Sequence, residues 1–372
     1  MIVIALGLLY LGIAKKMEPL LLLPIGFGML LVNLPLGGLM ETIKDGQLHE
    51  SFVLGGQPVG LLARIFDFGI ATELIPPLIF LGLGALTDFS PMIANPKTLL
   101  LGAGAQFGVF LSFFAALAIG ALTTIPFGIK EAASIGIIGG ADGPTTIYLT
   151  SLLAPDMLGI TAVAAYSYMA LVPIIQPPVI KLLTTKEERA IYMKPQLRQV
   201  SALEKMIFPM LGAIVTLLIV PKAAPLLGMF FFGNLLQVSG VTDRLANTAG
   251  NAFMDILTFL LGLCVGAFMS AENFLRPQSL LVFALGLLAF AGSTAFGVLL
   301  GKLMNVFSKE KINPMLGAAG VSAVPMSARV VQRMGQKANP RNFLLMHAMG
   351  PNVAGVIGTA IAAGVFLGMI AH

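Results

Sequence analysis

The sequence predicts an all-α polytopic membrane protein, built from inverted repeats of transmembrane helices that each carry a broken or re-entrant Gly/Pro hairpin. Composition is the first ground. Of 372 residues 57 % are apolar, 22 are basic and 17 acidic, and the mean hydropathy is +0.93. A soluble domain is about half apolar and about a quarter charged. Charge-free runs are the second ground: residues 98–129, 157–180, 277–301 and 342–372 hold no Asp, Glu, Lys or Arg. At about 20 apolar residues per crossing, the chain has room for roughly ten spans. The third is a Gly/Pro pattern that recurs at a constant offset of 181 residues, Pro96 on Pro277, Gly136 on Gly317, Gly139 on Gly320 and Pro144 on Pro325. Paired apolar segments broken by Gly and Pro in both halves point to a transporter site. Disorder, a soluble enzyme and a nucleic-acid-binding domain are excluded. The net charge of +5 bears on topology, and no nucleic-acid partner is implied.

Taken in order, 1–14 is a short first span and not a cleaved signal, since no basic stretch precedes it and Lys15 and Lys16 follow it. The remaining spans read as 18–40, 61–87, 98–125, 158–180, 203–222, 224–240, 253–271, 278–301 and 342–368. Basic residues gather in 181–205 (Lys181, Lys186, Arg189, Lys194, Arg198 and Lys205), in 302–311 and in 329–341, all expected on the cytoplasmic side. Their equivalents in the other half carry a single Lys, in 126–130, and no charge, at the C-terminus. The bias flips between the halves, which favours inverted over parallel repeats. A single crossing by 131–153 would put the 181–205 loop outside, whereas a hairpin keeps every basic loop inside. Hairpin 131–153 is therefore expected to enter from outside and hairpin 312–338 from the cytoplasm, with both termini outside. The chain divides into N-terminal segments with a polar loop (1–60), a first repeat (61–181), a basic cytoplasmic linker (182–205) and a second repeat (206–372). The expected setting is the cell (inner) membrane, in contact with lipid. Trp is absent, so the interfacial belts fall to five Tyr. The single Cys, Cys264, excludes a disulfide and reads as a small core residue.

Non-helical backbone at membrane depth is tolerated only where it is buried in protein or lines a cavity, so two broken tips imply a polar site between them. Asp142, in the run Gly139-Gly140-Ala141-Asp142-Gly143-Pro144, is the foremost candidate. A carboxylate at a helix centre costs about 2.5–3.5 kcal/mol to insert. It is either a buried cap of the broken helix or a ligand for a proton or cation. Glycines expose carbonyls there, and Pro144 removes a donor while breaking the helix. A hard monovalent cation wants several oxygens with little net charge. Asn352, in the final span, and Asn313, Ser322 and Ser327, of the second hairpin, offer such oxygens, or else hydrogen bonds between helices. Tyr168 is an interface anchor or a proton donor and acceptor. Arg329 sets topology or supplies a fork for an anion arriving from the cytoplasm. Asp67, Glu73 and Asp88 read as span-end or loop charges, Asp255 as a helix-start charge, and His49, His347 and His372 as polar packing or loop. No P-loop, HExxH or GxSxG motif occurs.

Four stretches carry a family resemblance: GIIGGADGPTTIY at 136–148, AAYSYMALVPIIQPP at 164–178, NPMLGAAGVSAVPMSARV at 313–330 and NFLLMHAMGPNVAGVIG at 342–358. They resemble the β subunit of biotin-dependent sodium-pumping decarboxylases, which act in oxaloacetate, methylmalonyl-CoA or glutaconyl-CoA decarboxylation. The likeness runs from about Asp88 to the C-terminus, and the first 60 residues match only as generic spans. The resemblance implies a subunit that takes carboxybiotin from a separate biotin carrier, decarboxylates it, and couples this to Na⁺ export with consumption of a proton. No biotin is expected on this chain. Carried over position by position, the family's aspartate falls on Asp142 and its tyrosine on Tyr168. Its second-repeat residues fall on Asn313, Gly317, Ser322, Arg329 and Asn352. The implied roles are Na⁺ held by Asp142, Asn313, Gly317, Ser322 and Asn352, carboxybiotin met by Arg329 and Ser322, and catalysis by Asp142, Tyr168 and Arg329. The implied partners are a carboxyltransferase α subunit, the biotin carrier, a small membrane γ/δ subunit and two further copies of the chain in a trimer. A shorter N-terminus leans toward the CoA-ester pumps. Two other readings share parts of this pattern, a secondary Na⁺/H⁺ or Na⁺/carboxylate transporter and a purely structural anchor.

Overall fold

The computed structural model describes every residue except 17, 18, 36, 50, 51, 54, 123–126, 195–197, 275, 309, 371 and 372. The expected end of the 98–125 span and His372 therefore lie outside the described residues. Six helices are long and apolar enough to cross a bilayer: Thr98–Leu122, Pro155–Leu183, Ala202–Ile219, Asp243–Ala267, Pro277–Phe307 and Leu345–Ile370. A seventh span is available if Leu61–Ala71 and Ile75–Leu86, bent by 68° at their break, count together. The fold is thus a polytopic helical membrane protein. Among the described residues there is one small sheet, three short antiparallel strands Thr42–Lys44, Gln47–His49 and Gln57–Pro58 in the N-terminal polar loop.

Ten expected spans shrink to six or seven for a geometric reason. Ile2–Ile13 and Pro19–Val32 are apolar but have 12 and 14 residues. A rise of 1.5 Å per residue makes them about 18 and 21 Å long, short of the hydrocarbon core of about 30 Å. Met229–Val238 has 10 residues and continues a π turn of 5, Ala224–Gly228, so this element too is shorter than a full crossing. The 61–87 segment is broken by a π turn at Asp67–Ala71, a positive φ at Glu73 and two prolines, Pro76 and Pro77, since proline removes a helix donor and clashes with the preceding turn. Asp255 stands in the first turn of the α-helix Met254–Ala267, as expected, and a π turn at Ala249–Phe253 joins that helix to Asp243–Thr248, so the whole span starts earlier.

The two Gly/Pro segments are broken as expected. The first consists of helical legs Ile129–Gly136 and Gly143–Leu153. A 3-10 turn at Ile137–Gly140, a left-handed Ala141 with φ 54° and an extended Asp142 join them. Pro144 sits in the first turn of the second leg, where its missing N–H costs nothing. The second segment is a 3-10 run, Pro314–Gly320, then extended backbone and the helix Met326–Ala338. The 3-10 run crosses the long Pro277–Phe307 helix at Gly297, where a methyl on either Gly297 or Gly317 would stand about 2 Å from the other's carbonyl oxygen.

The basic linker is clamped by polar residues of the second half. Asn313 Nδ2 donates to the carbonyls of Arg189 (2.9 Å) and Ile191 (3.1 Å). Asn342 donates to Ile191 O and accepts from Met193 N. His347 Nε2 lies 2.8 Å from Lys194 O, the packing role expected of it. Lys302 pairs with Glu188 at 3.1 Å. Capping boxes start the helices on either side, Thr185 with Glu188 and Ser201 with Glu204.

Candidate functional site

The two breaks meet tip to tip. Ser322 N donates to Gly140 O at 2.8 Å, and Ser322 Oγ donates to Asp142 Oδ2 at 2.8 Å. Asp142 caps its own second leg, with Oδ1 accepting from Thr145 N at 3.2 Å. The carboxylate is 3 % exposed. The ion pairs Arg198–Glu204 and Lys302–Glu188 lie elsewhere, and among the described residues none is found at Asp142. Two donors leave part of a carboxylate's four acceptor sites unused. Asp142 is thus the cap of the broken helix and keeps acceptor sites free.

The broken segments and the final helix also carry buried oxygens with no partner. Thr145 Oγ1, Ser327 Oγ and Asn352 Oδ1 are buried without a hydrogen-bond partner. Asn352 spends its two amide hydrogens on the carbonyls of Ala319 (3.0 Å) and Val321 (2.8 Å). Gln176, from the Leu158–Leu183 helix, does the same to Ala318 O at 2.9 Å and leaves its own oxygen unpaired. Among the described residues no group of three or more His, Cys, Asp and Glu converges. A single carboxylate amid neutral oxygens suits a hard monovalent cation better than a divalent or transition metal.

A cavity of about 520 Å³ opens onto this point, lined by Asp142, Ser322, Arg329, Tyr166, Asp255 and Thr258 with apolar residues between. Asp142, Ser322 and Arg329, expected together from the sequence, share this space. Asn352 holds the back of the second tip. Asn313 does not join them, because its side chain is committed to the linker and to Met315 N. Gly317 marks the crossing with Gly297. Tyr168 is turned away, its hydroxyl donating to Phe283 O on the Pro277–Phe307 helix.

Tyr166, Gln176 and Thr258 were not site candidates from the sequence, and Asp255 was read only as a helix-start charge. Residues two apart on a helix point about 200° apart, so only one of Tyr166 and Tyr168 faces the tip, and the spacing does not say which. Gln176 carried a usable signal, as the one amide in the charge-free run 157–180. Replacing Asn352 by Ala should lower stability by about 2 kcal/mol or more, since two buried carbonyls lose their donor. The check is the thermal midpoint of the detergent-solubilised protein, and an unchanged midpoint would contradict it.

Comparison with known proteins extends the likeness over the whole chain. The model of a family described as Na⁺-transporting oxaloacetate decarboxylase beta subunit matches residues 1–370. The methylmalonyl-CoA decarboxylase subunit beta of Propionigenium modestum is 56 % identical over 379 residues, covering 99 % of this chain and 94 % of the relative. That of Veillonella parvula is 55 % identical over 372 residues, covering 100 % and 93 %. The oxaloacetate decarboxylase beta chain of Haemophilus ducreyi is 52 % identical over 407 residues, covering 99 % and 93 %. The first 60 residues, which looked generic from the sequence, are part of this match.

Proposed function

Because this chain belongs to the family of Na⁺-transporting oxaloacetate decarboxylase beta subunits, we propose that it decarboxylates carboxybiotin delivered by a biotin carrier and uses that step to move Na⁺ outward. Family membership favours this over the secondary transporter and over the structural anchor. The observation that carries the reading is Asp142, a buried carboxylate without a counter-cation at the point where two broken helices meet. A membrane scaffold has no reason to accept that cost.

In outline, Na⁺ enters from the cytoplasm and is held by Asp142 and Ser322, with Thr145, Asn352 and backbone carbonyls as neutral ligands. Carboxybiotin docks from the same side with its carboxylate at the Arg329 guanidinium. Loss of CO₂ consumes a proton, and a proton arriving at Asp142 releases Na⁺, because one carboxylate does not serve both cations well. Asn313 and Gly317 support the site through the linker and the helix crossing. The 131–153 and 312–338 segments act as hairpins whose tips open to opposite sides.

A repeated contact supports the inverted-repeat reading. Pro19–Val32 crosses Met254–Ala267 with Gly28 against Leu263 and Gly266 against Ile25. Met229–Val238 crosses Ile75–Leu86 with Gly233 against Leu81 and Gly84 against Phe230. Both crossings use the same three-residue spacing on each helix, with the partners exchanged between halves. The partners we propose are a carboxyltransferase α subunit, the biotin carrier, a small γ/δ membrane subunit and two further copies of this chain. Higher identity to the methylmalonyl-CoA type, in alignments close to the length of this chain, favours a CoA-ester complex. The carboxyltransferase that co-purifies will decide this.

The test is CO₂ release from free carboxybiotin by the membrane complex, with and without Na⁺. Strict Na⁺ dependence is expected, and release indifferent to Na⁺ would overturn the coupling. In the same assay Arg329→Lys should raise KM for carboxybiotin about tenfold, as a point charge replaces a bidentate fork. An unchanged KM would remove Arg329 from the docking site.

A further inference from the structure

The Tyr166 side chain is 3 % exposed, yet it lines the cavity shared by Asp142, Ser322 and Arg329. Its phenol end lies on the backbone of Gly143, where a methyl would stand 2.3 Å from Tyr166 Cζ and 2.4 Å from Cε2. Gly143 directly follows Asp142, so a glycine seats the polar end of the ring beside the carboxylate. Among the described residues the Tyr166 hydroxyl makes no hydrogen bond, whereas the Tyr168 hydroxyl is occupied by Phe283 O. A buried phenol aimed into a reaction cavity with its donor unused is a group in want of a ligand.

We propose that Tyr166 is the proton donor to the biotin ring when carboxybiotin loses CO₂, an inference that rests on the carboxybiotin reading above. The bond between the carboxylate carbon and the ureido nitrogen breaks, CO₂ departs, and the electron pair stays on nitrogen. The O–H bond of Tyr166 breaks in the same step, and its proton forms the new N–H. The phenolate is then reprotonated by a hydronium ion that enters the cavity and leaves as water, and this is the proton the cycle consumes. A phenol suits the position because it donates from a neutral state. It adds no charge to a cavity that already holds the carboxylates of Asp142 and Asp255 and the guanidinium of Arg329. Arg329 pairs with the leaving carboxylate, and the apolar walls from Met169 and Met326 limit stray proton transfer from bulk water.

The experiment uses the complete membrane complex and free carboxybiotin. With Tyr166→Phe, kcat for CO₂ release should fall about 100-fold or more, while Na⁺ affinity, measured by Na⁺ protection against thermal unfolding, stays at the wild-type value. With 3-fluorotyrosine incorporated at position 166, a more acidic phenol of nearly the same shape, the alkaline limb of the kcat profile should move to lower pH. A merely structural ring would not move that limb. Wild-type kcat in the Phe variant, or a pH profile untouched by fluorination, would overturn the inference and leave the decarboxylase reading standing. A wild-type complex that releases no CO₂ from carboxybiotin would bring down that reading, and this inference with it.

Discussion

Asp142→Asn removes Na⁺-dependent CO₂ release and Na⁺ binding together, each by at least about 100-fold. The substitution is nearly isosteric. The amide oxygen still accepts from Thr145 N, and the Ser322 hydroxyl turns to accept from the new NH₂ in place of donating to a carboxylate. The tips therefore stay joined, and only the charge is lost. A unit charge at 4 Å is worth about 4 kcal/mol at an effective dielectric of 20, so the loss exceeds what the neutral oxygens at the tips recover. Carboxybiotin binding at Arg329 should persist, because that cation is not paired with Asp142. Measuring Na⁺ affinity and CO₂ release in one preparation separates the cases. A variant that binds Na⁺ normally would move the site elsewhere. A variant that loses CO₂ release but keeps Na⁺ binding would make Asp142 a proton station and not an ion ligand.

What could be read from the sequence follows from how local each cause is. Gly136, Gly139, Gly140 and Pro144, like Gly317, Gly320 and Pro325, break helices through their own backbone chemistry, so both breaks were legible without a fold. A lone Asp in an apolar run is expensive wherever its helix goes, which made Asp142 legible too. Ser322 and Arg329 followed because they sit on the second break. The misses depend on rotation and neighbours. Tyr166 and Tyr168 differ only in helical phase, and the packing of Leu158–Leu183 against Gly143 on one side and Phe283 on the other decides between them. Asn313 has the side chain of a ligand, but its partners come from a linker more than 100 residues earlier in the chain. Ile2–Ile13 and Pro19–Val32 are apolar but, among the described residues, shorter than the spans expected there. Apolar composition reports burial in lipid or protein alike and does not report how far a helix reaches.

Gly317 separates two roles that the sequence left merged. A backbone ligand works through its carbonyl, which alanine keeps. A close crossing works through the missing Cβ, which alanine supplies. At this position the added methyl would meet the Gly297 carbonyl at 1.9 Å and the Gly297 carbonyl carbon at 2.2 Å. Those are backbone atoms of a 31-residue helix, which cannot swing aside as a flexible side chain does. Gly317→Ala should therefore force the Pro314–Gly320 run off the helix, at a cost of about 3 kcal/mol, the upper end of ordinary overpacking. The displacement carries Ser322 away from Asp142, since only four residues, 318–321, separate the crossing from the tip. Na⁺ affinity and thermal midpoint should fall together in this variant, whereas Asp142→Asn lowers affinity with little change in the midpoint of the Na⁺-free protein. A Gly317→Ala protein with a normal midpoint and normal Na⁺ binding would overturn the crossing role and leave Gly317 only the part of a carbonyl ligand, which alanine keeps.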